Sequence, residues 1–507
     1  MKKNFFFMAA LLVAMTGCNK EPQMENNGIS SDDKVYMSFS IQTLTTRSET
    51  DSTEDDDYAS SDANPDVEVG LAKENKISSV DIVLRNANSY VCATVTNPTQ
   101  DGNDQTWVAE FNSTMLATDT DYEVYIYANC SAKQDVHATS AATITEMTAD
   151  NKFWMTNAYE PAIVKFQSYS TDKANPTDLG THYVERAMAR FDYMPKGPYT
   201  LGDGVVVTLT EAALINQSRE FYMLRRVSTD GTNSNWTVGG VETPNNYVVD
   251  VDYDYKKDGY KATCSTRFEN HMTDPDEWVW KSIAAADLTQ EDNWDGKEGG
   301  ETGSDQNHTL NDYYVWQYCK ENTIPGADIQ ENGISTGIVF KGQLSGDLVT
   351  AADGDPIYVF DNILYGTWDK VVAAAAQDNA SEAFKFAVSV CNDNGKAKEA
   401  ATLAAAGFTG FSADEYGNYY TYYYYWNRHN DNGNNTAMGK MEFAVVRNNV
   451  YKLCVDEIGK YGHPTPGGDD PDPDKPTPED PDEEGEYYFK VTVKVLPWVV
   501  RVNHIEF

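Results

Sequence analysis

The sequence has little positive charge. It contains 39 Lys and Arg residues against 79 Asp and Glu residues, which gives a formal net charge of -40. Such a surface repels the phosphate backbone and offers no basic footprint for nucleic acid. The charge therefore excludes nucleic acid as a binding partner.

Long hydrophobic runs are also nearly absent. The longest lies at Phe5–Met15, behind Lys2 and Lys3, and it is too short to cross a bilayer, which takes about 18 or more apolar residues. Its position and flanks indicate an export signal. The run ends in Met15-Thr16-Gly17-Cys18, which resembles a bacterial lipobox with Cys18 as the acylated residue; an ordinary secretory signal with a chance cysteine is the alternative. Membrane attachment is then by lipid alone.

Motifs for catalysis and metal binding are few. Gly333–Gly337 matches G-x-S-x-G, but the strand-like Ile338–Phe340 follows where a nucleophile elbow needs a helix. Glu291–Thr302 places Asn293, Asp295 and Gly296 as a calcium loop does, but Thr302 stands where a bidentate glutamate is needed. We predict no enzymatic activity and no cofactor. Weak calcium binding and a carboxylate pair formed by folding stay open.

The cysteines form no dense framework. After Cys18, six remain, and they are widely scattered with no C-x-x-C pair. This spacing favours buried thiols in strands over a disulfide scaffold. The pairing state itself stays open.

Short strands are the main pattern in the sequence. Val80–Leu84 and Tyr122–Tyr127 are examples, and clusters of turn-forming residues separate such runs. This spacing is typical of β-sandwiches. Helical patterns are confined to segments such as Trp368–Gln377 and Ala397–Ala406. We predict a mainly β fold with short helices.

The first strand is followed by an unusual segment. Between residues 35 and 41 the apolar residues alternate with Tyr36, Ser38 and Ser40, which predicts a half-buried strand; they are Val35, Met37, Phe39 and Ile41. Residues 49–66 then hold eight acids and no base. Such a composition predicts a solvated segment.

The C-terminal segment combines a predicted linker with two strand-forming runs. Residues 464–486 contain seven prolines and ten acids against one base, which predicts an extended linker. The apolar residues beyond it again alternate with others, and they are Val491, Val493 and Val495, then Trp498, Val500 and Val502. An apolar strand after a linker is unstable in water alone, so we expect it to bind a partner.

The tyrosine-rich run Tyr419–Trp426 allows two interpretations. It fits a strand buried on both faces, with hydroxyls at its margins. It also fits a carbohydrate-binding surface, because aromatic faces stack on sugars.

Four segments resemble a known family. Tyr422–His429 and Met438–Leu453 resemble the C-terminal region of the bacterial short-fimbria major fimbrillins, which are type V pilins. Val184–Arg190 resembles the basic strand of that family's N-terminal domain, and Pro497–Asn503 resembles its final strand. The match is dense from residue 416 to 507.

The resemblance implies how the protein is processed and assembled. It implies an acylated precursor at the outer membrane, two transthyretin-like β-sandwich domains, and an arginine-specific protease that cuts after the first strand, where Arg47 and Ser48 match the cleavage position. Loss of the strand opens a groove for a donor strand from an identical subunit. Donor and acceptor surfaces differ, so the contact is head-to-tail and propagates as a fibre. Tip and anchor fimbrial proteins are implied as further partners.

We therefore predict a shaft subunit of a cell-surface fimbrium that serves adhesion. Its expected segments are a lipoprotein signal peptide (1–17), a propeptide with the removable strand (18–47), an N-terminal β-sandwich (48–226), a C-terminal β-sandwich (227–462), an acidic linker (463–486) and donor strands (487–507). The alternative is a monomeric surface lipoprotein that binds glycans through its tyrosines.

Overall fold

The computed structural model describes most of the chain. The described residues are 34–43, 71–96, 99–101, 104–239, 247–258, 264–288, 313–324, 333–349, 355–429, 438–439, 441–467 and 489–497. The calcium-like segment Glu291–Thr302 lies outside these residues.

Strands predominate among the described residues, which confirms the mainly β prediction. Up to residue 186 the strands are β1 (Lys34–Thr43), β2 (Ser79–Arg85), β3 (Tyr90–Thr96), β4 (Thr99–Asp101), β5 (Asp104–Asn112), β6 (Asp121–Ala128), β7 (Thr139–Ser140), β8 (Met155–Asn157), β9 (Ala162–Lys165) and β10 (Thr177–Arg186). To residue 319 they are β11 (Ala189–Met194), β12 (Tyr199–Thr200), β13 (Val206–Ile215), β14 (Gln217–Ser218), β15 (Phe221–Tyr222), β16 (Arg226–Ser228), β17 (Trp236–Val238), β18 (Tyr247–Val248), β19 (Phe268–Glu269), β20 (Trp280–Ser282) and β21 (Tyr314–Cys319). The later strands are β22 (Gly337–Ser345), β23 (Ile357–Phe360), β24 (Ile363–Tyr365), β25 (Asn392–Asp393), β26 (Lys396–Ala397), β27 (Phe408–Phe411), β28 (Tyr419–Trp426), β29 (Asn449–Ile458) and β30 (Phe489–Pro497).

The α-helices are short. They are α1 (Ala72–Asn75), α2 (Ile144–Met147), α3 (Tyr253–Lys257), α4 (Cys264–Arg267), α5 (Ala285–Leu288), α6 (Trp368–Ala375), α7 (Glu382–Cys391) and α8 (Ala400–Ala405). The predicted helical segments at Trp368 and Ala397 are thus confirmed as α6 and α8. No helix among the described residues has the length and apolar character needed to span a bilayer.

The largest sheet has nine strands, with the order β3-β2-β6-β8-β10-β1-β5-β4 and β9 added beside β6. Its buried side chains form the first core, which runs from Val35 to Met188. Residues 221–238 add Phe221, Met223 and Leu224 to this same core. The predicted division at residue 226 stays a prediction.

The chain passes from the first core to a second within two residues. β10 ends at Arg186, and β11 begins at Ala189 in a different sheet, of order β21-β11-β29-β30. A further sheet, β12-β13-β22-β28 with β20 beside β13, packs against it. The second core therefore combines side chains such as Phe191, Phe340 and Tyr423.

A third core lies under the helices. α6, α7 and α8 pack with the sheet β24-β23-β27 around Trp368, Phe384 and Phe408. The Ser381 hydroxyl caps α7 by accepting a hydrogen bond from the backbone N–H of Phe384. Such a cap satisfies a backbone donor at the start of a helix.

The cysteines only partly follow the prediction of buried thiols in strands. Cys319 and Cys454 are buried in β21 and β29, and neither forms a disulfide. Cys130 and Cys391 are also buried and unbridged. However, Cys130 follows β6 in a loop and Cys391 ends α7, so the prediction that buried thiols lie in strands is wrong for these two.

Candidate strand-exchange site

The alternating residues of β1 all enter the first core. Val35, Met37, Phe39 and Ile41 have only 2%, 0%, 1% and 2% of their surface exposed, while the residues between them are half-buried. This confirms the predicted half-buried strand.

β1 is paired along both of its edges. It runs antiparallel to β5, with Phe39 opposite Trp107, and parallel to β10, with Ile41 opposite His182. At its start the Lys34 ammonium lies 2.6 Å from the Glu110 carboxylate. β1 is thus the strand that joins β5 to β10, and without it both of these neighbours would have an unpaired edge.

His182 lies beside β1 in a dry environment. Its side chain is 5% exposed, and Nε2 has no hydrogen-bond partner among the described residues. Burial lowers the pKa of His182 below its ordinary value of 6.5, against smaller opposing effects of the Leu179 backbone and the Asp178 charge. The neutral imidazole is therefore the form that fits this core.

We expect the stability of the intact precursor to depend on pH through His182. Its depressed pKa means that its contribution is complete above pH 6.5 and is lost as the pH falls, because the unfolded chain binds the proton more readily. Denaturant unfolding at pH 7 and pH 5 should show a smaller pH dependence in His182→Leu than in the wild type. Equal pH dependence in both proteins would contradict this prediction.

β30 provides the C-terminal candidate strand. It runs antiparallel along β29, with Val491, Val493 and Val495 opposite Val455, Leu453 and Tyr451. It forms the outer edge of its sheet, since β29 is paired on its other side with β11. In this structure the run therefore pairs with a strand of its own chain, and its role as a donor to another subunit stays a prediction. The remaining predicted site residues lie outside the described residues, and they are Cys18, Arg47, Ser48, Trp498, Val500 and Val502.

A buried charge cluster lies where β10 passes into β11. The Arg190 guanidinium is 2.8 Å from both the Glu74 and the Asp192 carboxylates, and all three side chains are fully buried. The Tyr318 hydroxyl donates to Glu74 at 2.6 Å, and burial followed by the Glu74 charge raises the pKa of Tyr318. Glu74 belongs to α1, so this cluster ties α1 to the sheet of β11 and β21. Sequence analysis missed it, because Glu74 and Tyr318 lie far along the chain from Arg190.

Removing the Arg190 guanidinium from this cluster should destabilise the protein. Arg190→Met leaves two buried carboxylates without their shared guanidinium, although the Lys452 ammonium still lies 3.9 Å from one of them, and breaking a buried ion pair typically destabilises a protein by about 3–5 kcal/mol. Denaturant unfolding would measure the loss. Lys196→Met is the matched control, since Lys196 pairs with Asp456 at 2.6 Å with its side chain 40% exposed, and such pairs contribute about 0–1 kcal/mol. A similar small effect for both variants would contradict the proposed cost.

The tyrosine-rich run forms β28, a strand packed on both faces. Tyr419, Tyr423 and Tyr425 enter the second core. On the other face Tyr422 packs with Trp278, which confirms the interpretation as a buried strand. Tyr420, Tyr424 and Trp426 on this face stay half-buried.

A comparison with protein families gives a match in the C-terminal part of the chain. Residues 414–504 match the family model of fimbrillin, the type IV major fimbrial subunit protein, in its C-terminal part. This confirms the fimbrillin resemblance. The matched segment includes β28, β29 and β30. The matched family is described as a major fimbrial subunit, which is a structural protein rather than an enzyme. No curated protein matches the chain.

Solved structures give weak global similarities. A putative cell adhesion protein from Parabacteroides distasonis ATCC 8503 aligns with 11% identity over 92% of this chain and 99% of its own, with a TM-score of 0.41. A fimbrilin from Porphyromonas gingivalis W83 aligns with 13% identity over 92% and 98%, with a TM-score of 0.37. A fimbrial assembly protein from Parabacteroides distasonis ATCC 8503 aligns with 11% identity over 43% and 76%, with a TM-score of 0.23.

Proposed function

We propose that this chain is a shaft subunit of an adhesive cell-surface fimbrium and that it polymerises by donor-strand exchange. The observation that carries the proposal is β1, whose apolar side chains are buried and whose two edges are both paired. Cleavage between Arg47 and Ser48, just beyond this strand, would detach it from the rest of the chain.

The groove left by β1 would be unfavourable when empty, so binding of another strand would stabilise the subunit. Burial of each of the four apolar side chains of β1 stabilises the fold by roughly 1.5–3 kcal/mol, or about 6–12 kcal/mol together. The backbone groups of β5 and β10 that face β1 would also need new partners. An incoming strand with the same alternation meets both needs at once.

The C-terminal runs are the proposed donor. The pairing of β30 with β29 supports an arrangement in which residues 489–497 stay on their own subunit and residues 498–507 extend into the groove of a neighbour. Because one subunit then offers a strand and the next offers a groove, growth continues without closing.

The same proposal implies where the precursor is attached and how it is processed. Acylation of Cys18 would hold it at the outer membrane until an arginine-specific protease removes residues 1–47. Identical subunits would then be its main partners, with tip and anchor fimbrial proteins at the ends. Two transthyretin-like β-sandwich domains remain the proposed division of the chain.

Protease treatment of the purified precursor tests this function. We expect a new N-terminus at Ser48 and a ladder of high-mass species on a denaturing gel of unheated samples. A cleaved product that stays monomeric over the same time would contradict polymerisation by strand exchange.

The half-buried aromatic face of β28 favours a second candidate, a monomeric surface lipoprotein that binds glycans. Trp280 and Tyr422 pack together on this face at 5.8 Å between ring centroids, and the Lys341 ammonium lies 4.4 Å from the centre of the Tyr420 ring. A glycan array with the untreated precursor would test this. Binding that is lost in Tyr420→Ala, together with an absent ladder, would favour this candidate.

A further inference from the structure

Three polar side chains meet in a dry site of the second half of the chain. Lys256 lies in α3, Asp250 precedes that helix, and Asn322 follows β21. Their exposed fractions are 2%, 2% and 0%. The Phe268 ring lies 5.8 Å from the Lys256 ammonium, so the surroundings are partly aromatic as well as dry.

The lysine amine is held between a carboxylate and a carboxamide. Lys256 Nζ lies 2.6 Å from Asp250 Oδ2 and donates to the Thr323 carbonyl at 2.6 Å. Its shortest contact is with Asn322 Oδ1. The nitrogen therefore lies next to the carboxamide carbon to which that oxygen is bonded.

The orientation of the carboxamide is fixed by its other contacts. Asn322 Nδ2 donates to the carbonyls of Asn216 and Ile334 at 3.2 and 3.0 Å, and it lies 2.8 Å from Thr336 Oγ1. Since the carbonyls only accept hydrogen bonds, the amide nitrogen must face them and the amide oxygen must face the lysine. Backbone bonds in both directions with Val445 hold Asn322 itself in place.

We propose that Lys256 and Asn322 form an intramolecular isopeptide bond, with Asp250 as the acid–base group. Asp250 takes a proton from the Nζ ammonium, and the freed lone pair attacks Asn322 Cγ. A second Nζ proton passes to Nδ2, the Cγ–Nδ2 bond breaks and ammonia leaves. The products are one amide and one ammonia, and no oxidant, reductant or external reactant is consumed.

The site supplies the conditions that this reaction needs. The first proton transfer converts the buried ion pair into a neutral amine and a neutral acid, and the amine nitrogen then carries the lone pair that attacks. The fixed approach of the two groups replaces a collision by a positioned contact, and Asp250 lies within hydrogen-bond reach of the proton that it moves.

The bond would join parts of the chain that are 66 residues apart in sequence. It would link the segment of α3 to the end of β21, and therefore to the sheet that contains β11, β29 and β30. Such a link restricts the unfolded chain in the way that a disulfide does.

Mass spectrometry of the full chain tests the proposal. We expect the wild type to be lighter than its processed sequence by one ammonia, and a protease digest to contain the Lys256 and Asn322 peptides joined as one species. Lys256→Arg, Asn322→Ser and Asp250→Asn should each restore the full sequence mass. Lys341→Arg is the matched control, because Lys341 pairs with Glu211 at 2.7 Å, and it should keep the ammonia loss.

The decisive reading comes from the wild-type digest, which does not depend on whether a variant folds. Separate peptides with unmodified Lys256 and Asn322 would overturn the proposal. An ammonia loss that persists in Lys256→Arg would also overturn it, because the loss would then arise from another residue.

Discussion

An Arg47→Ala precursor is expected to form no polymer after treatment with an arginine-specific protease. Without cleavage at this position β1 stays connected, and its four buried side chains continue to fill the groove between β5 and β10. The donor strand of a neighbour then finds no vacancy. Gel ladders and electron microscopy of treated samples would measure the loss, which should be complete.

Lys34→Ala is the matched control for this experiment. Lys34 lies at the start of β1, so cleavage there would leave the strand attached. The Lys34→Ala variant should therefore form the same ladder as the wild type. Polymer formation by Arg47→Ala at the wild-type rate would contradict the proposed removal of β1 by cleavage at this residue.

Deletion of residues 487–507 is expected to leave a folded, cleavable subunit that forms no filaments. β30 is the outer strand of its sheet, so its loss exposes one edge of β29 and leaves the pairing of β29 with β11 in place. The acceptor groove lies in the other sheet and is unaffected. Thermal unfolding and electron microscopy would separate folding from assembly.

Single substitutions distinguish the expected role of residues 498–507 from that of β30. If residues 498–507 enter the neighbour, Val500→Asp should abolish filaments and leave the stability of the subunit unchanged. Val493→Asp, in β30, should mainly lower stability, because Val493 lies opposite Leu453 in the β29 pairing. Filaments of normal length from the 487–507 deletion would show that the donor lies elsewhere in the chain.

Local patterns predicted the strand that matters most. The alternation from Val35 to Ile41 is a property of adjacent residues, and one buried face follows from it directly. The pairing of β1 with β10 could not be predicted in this way, because β10 begins at Thr177 and nothing local specifies so distant a neighbour. The docking of β30 on β29 and the approach of Lys256 to Asn322 are long-range contacts of the same kind.

One helix shows how a local pattern can mislead. In α7 the residues Phe384, Phe386, Val388 and Val390 alternate with others as in a strand. The buried residues are instead Phe384, Ala387, Val388 and Cys391, which have helical spacing. The Ser381 cap and the packing of the third core therefore override the alternation.

The N-terminal sequence of the protein in fimbriae sheared from cells shows directly whether β1 is removed before assembly. We expect assembled subunits to begin at Ser48, with residues 1–47 absent. Assembled fimbriae whose subunits still begin at an acylated Cys18 would contradict it, because β1 would then still be part of every subunit.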